Sequence, residues 1–155
     1  MSYRIALIAA LLACPSVGFA QDDPVYDPSI LASCLDGATG EARADCTDAG
    51  FSECMAQEAA QSTYGMNTCI AWALDDWDER LNATYQQAMA QARAQGREGA
   101  LRQRQRDWIA ARDATCTQEA EAASGGTLSG VIHGDCLRRE TAAQTLVLER
   151  EAGLQ

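Results

Sequence analysis

The sequence predicts an all-α fold: a small helical domain, stapled by disulfides, with a long helical hairpin and a C-terminal helix. Apolar residues recur every three or four positions from residue 66 onward, which is the period of an amphipathic helix. No alternating pattern of useful strand length appears. Six cysteines follow residue 20, and 155 residues with 47% hydrophobic content suit one domain with one core.

Residues 1–20 are typical of a secretory signal peptide. Arg4 precedes an apolar run, and small residues lead to Ala20. The stretch is too short to span a bilayer, and no later segment is apolar enough, so we expect export to the periplasm or the medium without a membrane span. The alternative is a lipoprotein signal, in which Cys14 would carry a lipid anchor. The small-residue site at Ala20, and Pro15 directly after the cysteine, favour cleavage instead.

An extended leader over residues 21–29, rich in proline and aspartate, is expected to precede the helical domain of residues 30–152. Gly37, Gly40 and Gly50 break the stretch that follows. Two or three short helices are therefore expected before residue 60.

A long helix is predicted next, because a stripe of apolar and aromatic residues shares one helical face. The stripe consists of Met66, Ile70, Ala73, Trp77, Leu81, Tyr85, Ala88 and Ala92. Gly96 and Gly99 are expected to end this helix and to turn the chain into a second one that runs toward Ala123, which makes a hairpin. A glycine-rich loop over residues 124–134 is expected before a last helix near Cys136.

Cys14 falls within the predicted signal peptide, so an even number of cysteines remains. These are Cys34, Cys46, Cys54, Cys69, Cys116 and Cys136. An even count in a small exported domain predicts three disulfides. Nearest-neighbour pairing joins Cys34 to Cys46, Cys54 to Cys69 and Cys116 to Cys136, although Cys46 and Cys54 could exchange partners. No Cys-x-x-Cys pair occurs and the sequence has a single histidine, so neither a metal site nor a cofactor is expected.

Acidic residues are concentrated in the first half of the expected mature chain. Residues 21–80 contain 13 Asp or Glu and two Arg, whereas residues 81–155 contain nine acidic residues and nine Arg. A nucleic acid is disfavoured as a partner, because phosphate binding needs a basic face. A basic protein partner fits this charge, and solubility of an exported chain is the alternative reason for it.

No catalytic arrangement is recognisable, so the protein is not expected to be an enzyme. The acidic run of residues 75–79 surrounds Trp77 of the apolar stripe, and its carboxylates are expected to point mostly to solvent. The run lacks EF-hand spacing, and no serine lies in a nucleophile elbow. Oxidised cysteines would leave His133 without a thiolate partner.

Several short motifs follow one another in a fixed order. They are Met66-Asn67-Thr68-Cys69, Leu81-Asn82-Ala83-Thr84-Tyr85, Gln105-Arg106-Asp107-Trp108, Arg112-Asp113-Ala114-Thr115-Cys116, Gly125-Gly126, and Cys136-Leu137 with Thr141. In this order they resemble the lysozyme inhibitor LprI-like N-terminal domain family over about residues 54–148. The resemblance implies an exported, all-helical fold. The sequence departs from the family at Gln144, where relatives often carry Arg, and in placing Cys34 and Cys46 in an N-terminal extension.

The function expected from this resemblance is that of an exported binding protein that inhibits a lysozyme or a related cell-wall hydrolase. Its partner would be a basic protein such as lysozyme. The alternative is a structural or accessory module of the cell envelope that binds another exported protein and inhibits nothing.

Five residues of the shared motifs are expected to support the fold. They are Asn82, Tyr85, Trp108, Arg112 and Asp113. Asn82 and Tyr85 lie beside the apolar stripe, where their polar groups can satisfy backbone or cross-helix partners. Arg112 and Asp113 can form a charged network beside Trp108.

For partner binding, the sequence offers the loop of residues 125–135, with Val131, Ile132 and His133 as its contacting residues. A disulfide at its base would reduce the entropy lost on docking. The imidazole could then pair with the catalytic carboxylates of a lysozyme cleft. A simple exposed connection is the alternative interpretation of this loop.

Overall fold

The structure is a computed structural model that describes residues 22–123 and 125–154. Within these ranges it contains only helices and turns, so the all-α prediction is confirmed. The elements are α1 (Pro28–Gly37), a first 3₁₀ helix (Gly40–Cys46), α2 (Phe51–Met55), a second 3₁₀ helix (Glu58–Gln61), α3 (Thr63–Ala94), α4 (Glu98–Ala122) and α5 (Thr127–Glu151). The predicted signal peptide, with Cys14, lies outside the described residues. None of the described helices combines the length and apolarity that a bilayer crossing requires.

The expected leader is extended only as far as Asp27, because α1 begins at Pro28 rather than at Ile30. The Asp27 carboxylate accepts a hydrogen bond of 2.9 Å from the backbone N–H of Ser29, as a helix N-cap does. Pro28 occupies the first turn, where proline is tolerated because its missing N–H has no helical partner. The first helix therefore starts inside the predicted leader.

Helix α3 has 32 residues and buries most of the predicted stripe, with Trp77 only 1% exposed, whereas Met66 and Tyr85 are half-buried. The Ser62 hydroxyl accepts the N–H of Gly65 at its start. At its end Gly96 has a φ of +67°, and the N–H of Arg97 donates to the carbonyl of Ala92 over 2.8 Å. This is a Schellman turn, which glycine adopts without strain. It produces the predicted hairpin of α3 and α4.

Helix α5 packs against both members of this hairpin and most extensively against α3. It begins at Thr127, so the prediction of a loop through Gly134 is wrong. Two glycines in a helix each cost about 1 kcal/mol relative to alanine, but packing offsets this cost. A Cβ atom at Gly134 would lie 2.9 Å from Cγ2 of Ile70. The missing side chain thus allows α5 to approach α3 closely.

Three disulfides join neighbouring elements. Cys34–Cys46 ties α1 to the first 3₁₀ helix, Cys54–Cys69 ties α2 to α3, and Cys116–Cys136 ties α4 to α5. These are the nearest-neighbour pairs that the sequence predicts. Their Cα–Cα distances of 5.8, 5.8 and 5.4 Å are ordinary for disulfides.

A buried ion pair joins the first 3₁₀ helix to the last turns of α5. Arg43 Nη2 lies 2.8 Å from Glu149 Oε2, and the two side chains are 10% and 6% exposed. Arg43 also donates to the carbonyl of Leu35 over 2.6 Å. Because both charges have left water, each depends on the other for its stabilisation.

A second arginine, Arg138 of α5, is buried against the same N-terminal region. Its side chain is 2% exposed and lies 2.8 Å from both Asp48 and Asp135. The guanidinium donates to the carbonyl of Thr47 over 3.0 Å and stacks 4.0 Å from the centre of the Phe51 ring. Burial of a guanidinium requires such complete pairing.

Replacing Arg43 with Met is expected to lower the free energy of unfolding by about 3–5 kcal/mol, because Glu149 would remain buried without a counter-charge. The double variant Arg43→Met/Glu149→Met should recover most of this loss, since no charge is then buried alone. Urea unfolding followed by circular dichroism measures both. As a control, Arg104→Met breaks an exposed pair with Glu151 and should cost less than about 1 kcal/mol. Equal losses for the single and the double variant would contradict the buried-pair interpretation.

The two glycines of α5 give a matched pair of substitutions. Nothing lies within 4 Å of a Cβ atom at Gly130, so Gly130→Ala should stabilise the protein by up to about 1 kcal/mol through helix propensity. Gly134→Ala should destabilise it, because overpacking against Ile70 costs about 1–3 kcal/mol. Thermal unfolding of both variants gives the sign of each change, and a stabilising Gly134→Ala would mean that α3 and α5 are not closely packed there.

Candidate functional site

The residues predicted to contact a partner lie in the first turns of α5. Val131, Ile132 and His133 are each half-buried and helical. Consecutive residues of a helix point in different directions, so these three side chains do not form one patch. The structure therefore places them on a packed helix instead of the flexible loop that the sequence suggested.

The structure brings together three of the five residues expected to support the fold. Arg112 lies 2.9 Å from Asp113 Oδ1, stacks 5.0 Å from the centre of the Trp108 ring, and donates to the Thr141 hydroxyl over 3.2 Å. The last contact links α4 to α5.

Asn82 and Tyr85 stand apart from this group. Asn82 is exposed and Tyr85 is half-buried, and neither side chain hydrogen-bonds to another group in the part of the chain that the structure describes. Gln144 donates to Gln105 over 3.2 Å, which is one of several polar contacts between α4 and α5.

A cleft lies where the N-terminal segment runs along α3. It is an open depression of about 520 Å³. We call it the Trp72 cleft. Its lining residues are Pro24, Val25, Tyr26, Pro28, Trp72, Asp75, Asp76 and Glu79.

The wall of the Trp72 cleft that precedes α1 is held in place by hydrogen bonds at two points. The backbone of Val25 donates to Gln57 Oε1 over 2.8 Å and accepts from Gln57 Nε2 over 2.6 Å. One residue later, the Tyr26 hydroxyl donates to Asp76 Oδ2 over 2.8 Å. Both contacts join residues far apart in sequence, so they fix the segment against the helical domain.

The other wall is one face of α3. Trp72, Asp75, Asp76 and Glu79 have the spacing i, i+3, i+4 and i+7, which places them side by side on a helix. Asp76 is engaged by Tyr26. Within residues 22–123 and 125–154, the carboxylates of Asp75 and Glu79 have neither an ion pair nor a hydrogen bond, and both residues are exposed.

The contact between Tyr26 and Asp76 changes the acidity of the phenol. Burial raises the pKa of the Tyr26 hydroxyl well above its ordinary value, and the hydrogen bond and negative charge of Asp76 raise it further. The protonated phenol is thus the form that the folded protein stabilises.

The cleft was not predicted from the sequence, because the acidic run of residues 75–79 was interpreted only as the solvated side of Trp77. A signal was present: Trp72 lies outside the buried stripe, yet it shares a helical face with three carboxylates. The opposite wall, residues 24–28, leaves no such signal because its position depends on contacts distant in sequence.

A wider groove of about 930 Å³ adjoins the cleft between α1 and α3 and shares Asp76 and Glu79 with it. Arg80 lines this groove, and its Nε atom is buried without an acceptor among the described residues. Four acidic and two basic side chains line the groove, and Arg43 among them is already paired with Glu149. No group of three His, Cys, Asp or Glu suited to a metal ion occurs in the described ranges.

Comparison with known proteins gives one match. A family model described as lysozyme inhibitor LprI matches residues 54–148, which is more than half of the chain. No curated protein and no solved structure matches the sequence. The matched segment includes the α3 wall of the Trp72 cleft, whereas residues 24–28 precede it.

Replacing Tyr26 with Phe should flatten the dependence of stability on pH in alkaline solution. Because folding raises the pKa of Tyr26, its contribution is complete below about pH 10, the ordinary pKa of tyrosine, and is lost as the pH rises toward the folded value. The wild type should therefore lose more unfolding free energy between about pH 8 and about pH 11 than Tyr26→Phe does.

Urea unfolding at the two pH values measures this difference. Tyr64→Phe is the control, because Tyr64 is 60% exposed, and it should behave as the wild type. Identical pH dependence in the wild type and Tyr26→Phe would show that the phenol is not preferentially protonated in the folded state.

Proposed function

Since this chain belongs to the lysozyme inhibitor LprI family, we propose that it is an exported protein that binds and inhibits a lysozyme or a related cell-wall hydrolase. The family match over residues 54–148 carries this proposal, because it covers α3, α4 and most of α5. Inhibition requires a stable contact with the hydrolase. It does not require a catalytic group in this chain.

The proposal of export is supported by the cysteines. All six cysteines of the domain are paired in disulfides. Disulfides of this kind persist in oxidising compartments such as the periplasm and are rare in the cytosol. The predicted signal peptide over residues 1–20 supports the same compartment.

The charge distribution supports a basic partner. Residues 21–80 contain 13 acidic side chains and two arginines, and these acids include Asp75 and Glu79, which are exposed on one face of α3. A negative surface accelerates encounter with a positively charged protein. The attraction acts mainly on the association rate, because it steers the diffusional encounter, and salt screens it.

The test is the hydrolysis of a cell-wall suspension by lysozymes of several types, with and without the purified protein. We expect residual hydrolysis to fall as the protein is added, and inhibition to weaken as ionic strength rises, because the screening length shortens from roughly 10 Å at 0.1 M salt to roughly 3 Å at 1 M. Protein that has been reduced and alkylated is the control, because it lacks the three disulfides and should not inhibit.

Unchanged hydrolysis with every lysozyme type at micromolar excess would refute the proposal. Stable binding of an exported protein without loss of its activity would instead favour the accessory role in the cell envelope.

A further inference from the structure

We propose that the Trp72 cleft binds an arginine or lysine side chain presented by a basic protein partner. The identity of that partner as a wall hydrolase rests on the proposed function. The nature of the cleft as a site for a cationic side chain rests on its own residues.

The apolar part of the cleft is open to solvent. Trp72 is 39% exposed and Val25 on the facing wall is 71% exposed, and two prolines flank them. An indole attracts an ammonium or guanidinium group through its ring electrons. The methylene chain of a lysine or arginine can cover the apolar surface at the same time.

The charged part of the cleft determines the sign of the charge that a ligand must carry. Asp75 and Glu79 stand one helical turn apart on the face that carries Trp72, and neither has a cationic partner among the described residues. The third carboxylate, Asp76, is occupied by Tyr26. Two negative charges beside an aromatic ring repel acidic segments and attract a basic one.

The cleft is also largely formed before any ligand arrives. Tyr26 and Gln57 fix the backbone of the N-terminal wall, and the other wall is a helix. Because little chain has to be ordered on binding, the entropic cost is reduced. This property favours specific binding of one side chain over a general attraction between charged surfaces.

Two variants remove the groups of the cleft that would contact a cationic side chain, and each variant has a matched control. Trp72→Ala is matched by Ile109→Ala, since Ile109 is 40% exposed on α4. Asp75→Asn/Glu79→Gln is matched by Asp45→Asn/Glu58→Gln, which removes two exposed acids of the same half outside the cleft. The two double variants have the same net charge. A difference between them therefore reports a local contact in the cleft and not long-range electrostatic steering.

Isothermal titration with a lysozyme that the wild type inhibits measures the effect. Each cleft variant should raise Kd by at least tenfold, about 1.4 kcal/mol, whereas each control should stay within about twofold of the wild type, well below that tenfold step. Thermal unfolding verifies that all variants are folded. Unchanged inhibition by both cleft variants would overturn the cleft proposal and leave the proposed function standing.

Carbodiimide cross-linking gives a direct readout of the contact. All 12 residues counted as Lys or Arg are arginines, so, apart from links through this chain's own N-terminal amine, a carboxylate–amine link between the two proteins joins its Asp or Glu to a lysine or the N-terminus of the partner. Links at Asp75 or Glu79, found by mass spectrometry, would support a lysine as the occupant. Their absence would assign the cleft to an arginine if the titration shows the tenfold loss, and would contradict the proposal if it does not.

A tetra-arginine peptide amide decides the matter if no lysozyme is inhibited. Binding observed by tryptophan fluorescence and lost in Asp75→Asn/Glu79→Gln would support the cleft while the proposed function fails. Absent binding, or binding equal in wild type and this variant, would overturn the cleft. A dimer of the protein that Trp72→Ala abolishes would also overturn it, because a second copy would then be the occupant.

Discussion

The burial of the Arg138 guanidinium is the constraint on which the N-terminal third of the protein depends. A charge that is 2% exposed must be surrounded by acceptors, and Asp48, the Thr47 carbonyl and the Phe51 ring supply them from one short segment. That segment includes Gly50, whose missing side chain lets Tyr26 pack close to its backbone. Tyr26 in turn reaches Asp76. The position of the Arg138 guanidinium in α5 thereby helps to fix Tyr26 in the wall of the Trp72 cleft.

The sequence predicts the features that depend on local spacing. The stripe that includes Trp77, the turn at Gly96 and the pairing of neighbouring cysteines all follow from residues close together in the chain. Gly134 was misinterpreted as part of a loop because its close neighbour, Ile70, lies on another helix. The burial of Arg138 was missed for the same reason. An arginine side chain is usually solvated, but that of Arg138 is buried because the fold brings partners such as Asp48, distant in sequence, close to it.

The charged side chains in the two halves of the chain differ in whether they are paired. Arginines of the second half are largely engaged, for example Arg112 with Asp113 and Arg139 with Glu119. Acids of the first half such as Asp75 and Glu79 are left without cations among the described residues. Part of the excess of negative charge is therefore displayed where the N-terminal extension meets the segment matched by the family model. The matched segment supplies an indole and carboxylates, and the extension before residue 54 supplies the facing wall.

The order of the disulfides bears on how the chain acquires them. The six cysteines of the domain pair consecutively along the chain, the first with the second, the third with the fourth and the fifth with the sixth, over separations of 12, 15 and 20 residues. When such a chain is delivered N-terminus first into an oxidising compartment, an oxidase that joins thiols in their order of arrival produces the native pairs. Correct maturation then needs a thiol oxidase but no isomerase to reshuffle wrong pairs, which distinguishes this protein from exported domains with interleaved disulfides.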